Sequence, residues 1–148
     1  MQLSGRASRP AGRRAARQRA VELLYEAHLR GVEPAEVLSA RVGSPDADPV
    51  PDYAITLVEG VAEHREHIDE LLAEYAKGWT IERMPPVDLA VLRMGVFELL
   101  WAEDVPDPVA IDEAVSIAKM LSTDDSPRFV NGVLGRMATV ADKLRSVL

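Results

Sequence analysis

The stretch PVDLAVLRMGVFELLWAE, residues 86–103, is apolar nearly all the way round a helical wheel. A helix of that kind keeps no face for water, so it marks a buried central helix. The rest of the chain also reads as helix. Ala16, Ala20, Leu23, Leu24 and Ala27 recur at helical spacing between about Ala11 and Arg30, and Gly31 follows as a stop. PAEVLSARV forms a short helix, and GSPDADPVPD (43–52) reads as a loop because of its prolines and aspartates. From Tyr53 to Lys77 the apolar positions Ile55, Leu57, Val58, Val61, Ile68, Leu71, Leu72 and Tyr75 are again helical, either as one helix or as two joined near His64. Gly78 closes that segment, and WTIERMPP (79–86) is a connector. PVAIDEAVSIAKML (108–121) is amphipathic through Ala110, Ile111, Ala114, Ile117, Ala118 and Leu121. Ser126 and Pro127 read as the N-cap and first residue of a last helix. That helix runs towards the C-terminus with Val130, Val133, Leu134, Met137, Val140, Ala141 and Leu144 on its core face. Nothing reads as a strand. The expected fold is all-α, about seven helices in one compact body or two small bundles.

At 148 residues one domain is the default. A flexible basic arm is expected over residues 1–10 and a helical domain over 11–148, with subdomains at roughly 11–78 and 79–148. The arm matters because of charge. Residues 1–20 hold six arginines and no acid; they contribute +6 to a chain of formal charge −7, which leaves −13 for residues 21–148. Such asymmetry points to a polyanion-binding start on a body that repels phosphate. The acid-free arm also has the composition of a transit peptide, a weaker reading. With no cysteine, disulfides, thiolate nucleophiles and cysteine-ligated metals are excluded. No apolar run approaches the roughly 20 residues of a membrane helix, and no signal-peptide core follows the arginines.

Three features carry candidate chemistry. Arg13 and Arg17 lie one helical turn apart at the edge of the core stripe, with Arg14, Gln18 and Tyr25 on the neighbouring side. Guanidinium forks suit phosphates and an aromatic ring offers a base a stacking surface, the pairing that single-stranded nucleic acid needs. A solvated amphipathic helix is the plainer alternative. Arg93 sits among Leu89, Phe97 and Leu100, where an unpaired guanidinium is unfavourable by several kcal/mol. It needs an internal carboxylate, helix-end carbonyls or a ligand phosphate, and the internal ion pair leads. In DDSPRFVNGVLGRM (124–137), Arg128 and Phe129 stand in the first turn of a helix, where free N–H groups favour anions, while Asp124 and Asp125 argue for a helix start with no ligand. Gly132 and Gly135 weaken a helix interior, and close helix approach is the simplest reason for them.

Enzyme chemistry finds no support. His64 and His67 in EHREH are spaced to touch one metal, but the zinc-protease motif needs four-residue spacing and a glutamate where Arg65 stands. The pair reads as a solvated face, and no metal or cofactor is expected. No phosphate-loop, nucleophile-elbow or dinucleotide glycine pattern occurs.

With these residues in view, the chain resembles the NusB family of transcription antitermination factors. The resemblance rests on RRAARQRAVELLYE (13–26), MPPVDLAVLRMGVFELL (84–100) and VPDPVAIDEAVSIAKMLSTDDSPRFVNGVLGRM (105–137), and spans about residues 11–140. It implies two small helical bundles packed together and a cytoplasmic, non-enzymatic role. That role is binding the boxA element of ribosomal RNA leader transcripts together with NusE, a small-subunit ribosomal protein, so that RNA polymerase, joined by other Nus factors, keeps elongating. It further implies that Arg13, Arg14 and Arg17 contact RNA, and that Tyr25 and Asp88 matter for assembly, with Tyr25 also at the RNA. Arg93, Asp125, Arg128 and Phe129 fall at or beside the RNA surface, and Asn131 and Gly132 are structural. Two departures stand out: Ala15 breaks the arginine run, and Asp112 stands where the family usually has Asn. Two other readings remain at this point. One is a homodimeric helical interaction module whose RNA surface is occluded. The other is the RNA-binding part of a ribosomal RNA cytosine methyltransferase, disfavoured because no catalytic cysteine is present and no cofactor domain is expected after Leu148.

Overall fold

The all-round apolar run becomes a helix with twelve of its sixteen residues buried, Pro86–Trp101. In the computed structural model, which describes residues 10–46 and 48–148, it is the fourth of seven α-helices in the order α1 (Pro10–Arg30), α2 (Pro34–Val42), α3 (Asp52–Tyr75), α4 (Pro86–Trp101), α5 (Asp107–Leu121), α6 (Ser126–Ala138) and α7 (Ala141–Ser146). No strand occurs among the described residues. The arm expected over residues 1–10 lies outside them, apart from Pro10, which opens α1.

Local chemistry sets the element ends. Gly31 and Gly78 take φ of +67° and +80°, left-handed values that a side chain disfavours, and so turn the chain after α1 and α3. Prolines occupy the first turns of α2, α4, α5 and α6, where the missing N–H is harmless. α3 is a single unbroken helix. The connector after it contains a short 3-10 turn, Ile81–Arg83.

α1, α2 and α3 pack on one another, α5 packs on α6, and α4 touches α1, α3, α5, α6 and α7. α4 is therefore the shared core of two helical bundles. Its approach to α3 is close: a Cβ at Gly60 would lie 2.2 Å from the Phe97 ring. Two arginines from the C-terminal helices cap other helix ends. Arg136 donates to the Tyr75 carbonyl at the end of α3, at 3.0 and 2.8 Å. Arg145 donates to the Leu99 carbonyl near the end of α4, at 3.3 and 2.8 Å, and pairs with Asp107. Cations at helix C-termini also oppose the negative end of the macrodipole. No helix among the described residues is long and apolar enough to cross a membrane.

Several expectations need correction. The last helix is two: α6 ends at Ala138, and Val140 leaves helical geometry with φ −123° and ψ 18°. The Thr139 hydroxyl donates to the Arg136 carbonyl at 2.7 Å, a local bond that competes with helix continuation just before β-branched Val140. Ser126 is not the cap but the first residue of α6, fully buried, with Asp125 preceding it. Gly132 and Gly135 permit no close helix contact. A Cβ at Gly135 would meet nothing within 4 Å, and one at Gly132 only the Arg136 side chain of the same helix.

One buried ion pair ties α1 to α4. Arg17 is 3% exposed and Glu98 is 0% exposed. Arg17 Nε lies 2.8 Å from both carboxylate oxygens of Glu98, and the Tyr53 hydroxyl of α3 donates to one of them. Burial, then the Glu98 charge and hydrogen bond, push the Tyr53 phenol pKa up, so it stays a donor. Replacing Glu98 by Gln leaves the buried Arg17 cation with only the more distant Glu113 carboxylate, 3.5 Å from Nη1, to compensate it among the described residues. We expect urea denaturation to report a loss of about 3–5 kcal/mol. The double variant Arg17→Met, Glu98→Met should recover most of it. A Glu98→Gln protein that unfolds at the wild-type urea concentration would remove this pair as the anchor of α1.

Candidate functional site

The first turn of α1 contains no acid, and Arg13 and Arg14 follow it, although cations at a helix N-terminus oppose the macrodipole. The acids come from elsewhere in the fold. Arg13 Nη2 donates to Asp104 Oδ2, in the loop after α4, at 2.7 Å. Arg14 forks Glu113 of α5 through Nε at 3.3 Å and Nη2 at 2.8 Å. Arg17 Nη1 lies 3.5 Å from the same Glu113 carboxylate. The Arg14 hydrogen bond, with the charge of Arg17 behind it, holds the Glu113 carboxyl below its usual range against the opposing effect of burial. The hydrogen bond from Arg13 does the same for Asp104. Both acids are therefore ionised at neutral pH.

These residues border a groove of about 760 Å³ between α1 and α5, with Gln18, Val109 and Met120 on its walls. The three arginines differ in access. The Arg14 side chain is 66% exposed and, among the described residues, held only by Glu113. The Arg13 guanidinium lies over the Tyr53 ring, 4.2 Å from its centroid, largely covered, with Nε buried and without a hydrogen-bond partner among the described residues. Arg17, expected to face a ligand, faces the core. The helical wheel put it at the edge of the apolar stripe, and Glu98 draws that edge inwards.

The other singled-out residues divide between two places. Arg93 forks Asp69 of α3, both bonds at 2.9 Å, which is the internal ion pair that led the sequence reading. Tyr25 is half-buried against the core. Asp88, Asp125, Arg128 and Phe129 gather at a second cleft, of about 350 Å³, where α4 and α6 begin. There Asp88 is 3% exposed and accepts from Ser122, which accepts from Ser126 at 2.9 Å. Asp125 and Arg128 are exposed and Phe129 is half-buried.

Among the described residues, no group of three or more His, Asp or Glu side chains is gathered to hold a metal. His64 is not on a solvated face as expected. Its ring stacks on Trp101 with centroids 4.3 Å apart, and His67 meets the same indole edge-on at 5.8 Å. Four residues escaped sequence reasoning: Glu98, Asp104, Glu113 and Trp79. Only Glu98 left a signal, a charge inside the all-round apolar helix.

A family model described as the NusB family matches residues 14–139. The chain is 64% identical over 137 residues to the transcription antitermination protein NusB of Saccharopolyspora erythraea, covering 92% of this chain and 93% of that protein. Among solved structures, T. maritima NusB superposes with a TM-score of 0.78 at 33% identity, over 92% of this chain and 97% of that one. A chain from a crystal structure of the antitermination factors NusB and NusE in complex with dsRNA gives a TM-score of 0.75 at 28% identity, over 86% of this chain and 96% of that one. Identity of that order across nearly the whole of both proteins, on the same helical architecture, means that this chain belongs to the NusB family.

Proposed function

We propose that this protein is a cytoplasmic, non-catalytic adaptor in transcription antitermination. It grips a single RNA strand of the boxA type through the groove beside α1, jointly with NusE, and keeps RNA polymerase elongating within a complex that includes other Nus factors. The observation that carries this reading is the Arg14–Glu113 fork at the groove mouth. A guanidinium fork that fits a carboxylate fits a phosphate equally well. Arg14 is exposed, and Glu113 keeps Arg17 beside it when Arg14 turns away, so exchanging Glu113 for a phosphate leaves no carboxylate unpaired. The relative named as an antitermination protein supports the role in antitermination, and the crystal structure of NusB and NusE in complex with dsRNA supports RNA and NusE as partners.

In this reading Arg14 is the principal phosphate contact and Arg13, largely covered and paired with Asp104, a secondary one. Arg17 positions both by fixing α1 on the core. Arg93 is a brace between α3 and α4 beside the RNA surface. Tyr25 serves assembly from the side of α1, and Asp88 serves it by holding the Ser122–Ser126 turn in shape. Arg128 and Phe129 extend the RNA surface past the groove, next to Asp125. A second reading, self-association through the same groove, is favoured by exposed Val109 and Met120 on its walls. RNA and a second copy then compete, and sedimentation should show any dimer dissociating in saturating boxA RNA.

Removing Arg14 takes away one phosphate contact. For Arg14→Ala we expect weaker RNA binding and a slope of log K against log salt that is shallower by about 0.7. Fluorescence anisotropy across a salt series reads both, and an unchanged slope would take Arg14 out of the interface. Glu113→Gln should act in the opposite direction: the freed guanidinium binds RNA more tightly, with a slope steeper by up to about 0.7. If Glu113→Gln weakens binding instead, the carboxylate is a contact and not a competitor.

A further inference from the structure

Trp79 has no role in the groove. It stands in the connector between α3 and α4, and its 45% exposure is high for so large an apolar side chain. Its ring centroid lies 5.6 Å from that of Phe129, with the planes tilted by 53°. The two rings border the 350 Å³ cleft together with Asp88, Thr123, Ser126 and Arg128. That volume is near the low end for small-molecule sites, enough for a ring system.

The chemistry of the lining sorts what enters. Asp88 is buried, and Ser122 and Ser126 form a chain of hydroxyls leading to its carboxylate. The buried carboxylate repels phosphate, while the exposed Thr123 hydroxyl on the cleft wall can meet a polar group on a base edge. The aromatic pair offers a stacking surface to any base. Exposed Arg128 supplies a cation for the phosphate that stays outside. The groove and the cleft flank the same end of α5: Met120 lines the groove, and Thr123, three residues on, lines the cleft. A strand held by Arg14 is thus led along α5 towards it.

We infer that Trp79 is a base-stacking residue, and that this cleft takes one unpaired nucleobase of the bound RNA strand. The inference rests on the RNA-binding reading above. Stacking differs from phosphate contact in one measurable respect: it releases no counterions. Trp79→Ala should weaken binding of full-length protein to single-stranded boxA RNA by roughly tenfold, with the salt slope unchanged. Trp79→Phe should retain most of the affinity. In a Trp101→Phe background Trp79 is the sole tryptophan, and RNA should quench its fluorescence whether or not purified NusE is present. Wild-type binding of RNA combined with Trp79→Ala affinity equal to wild type, or with no quenching, overturns the inference and leaves the RNA-binding reading standing. Quenching by NusE alone, with none from RNA, also overturns it, because the cleft then holds a protein side chain. A wild-type protein with no salt-dependent RNA binding overturns both.

Discussion

The pairing of Arg17 with Glu98 governs where everything else sits. Glu98 lies in a helix that is buried on all sides, where a lone carboxylate is strongly unfavourable. A fork from Arg17 to both oxygens and a third bond from Tyr53 satisfy it. Buried pairs of this kind give little net stability compared with apolar packing, because desolvation offsets the attraction. Their effect is on register. An apolar stripe of alanines and leucines would accept α1 in several rotations and slides against α4, whereas a charge with a single partner accepts one. With Arg17 fixed, Arg13 lies one turn earlier over the Tyr53 ring and Arg14 turns outwards to the groove.

The acids around that groove have two effects. They relieve the repulsion of several cations near a helix N-terminus, and they hold extended guanidinium groups in orientations that a phosphate can take over. A long side chain loses rotamer freedom when it is ordered, and a carboxylate that has already ordered it reduces the loss at binding. The opposing effect is competition, since Asp104 and Glu113 are ionised at neutral pH and must be displaced. Arg14 sits where displacement is easiest, exposed and, among the described residues, held only by Glu113.

Much of the fold was legible because helical periodicity is a local property. The stripe Ala16, Ala20, Leu23, Leu24 and Ala27 is buried as read, and α4 is central as its apolar circumference required. The all-helical architecture followed from the same signal. What remained illegible depended on partners far along the chain. A wheel placed Arg17 on a boundary, and only Glu98, 81 residues away, decides which side of the boundary it joins. Arg93 was readable as needing a carboxylate but not as needing Asp69. The break at Thr139 and Val140 was hidden because the apolar spacing continues through it into Leu144. His64 looked solvated because its own helix gave no hint of Trp101, which α4 supplies. Trp79 was hidden for the same reason, since its partner Phe129 lies fifty residues on.

A chain of net charge −7 that binds a polyanion looks contradictory only if charge acts as a sum. At physiological ionic strength an exposed charge is felt over about 8 Å, so a phosphate at Arg14 responds to that guanidinium and its immediate neighbours rather than to the far side of the bundle. The acidic remainder then adds selectivity. Away from the groove the surface repels a phosphate backbone and disfavours misplaced binding. In the proposed binding mode the buried carboxylate of the second cleft keeps phosphate out while the aromatic rings attract a base. In that proposed mode backbone and base are thereby sorted along α5, with phosphate against Arg14 beside Glu113 at one end and a ring against Trp79 and Phe129 beyond the other. That division needs a rigid ruler between the two ends. α5, packed on α4 and α6, supplies it at 1.5 Å per residue.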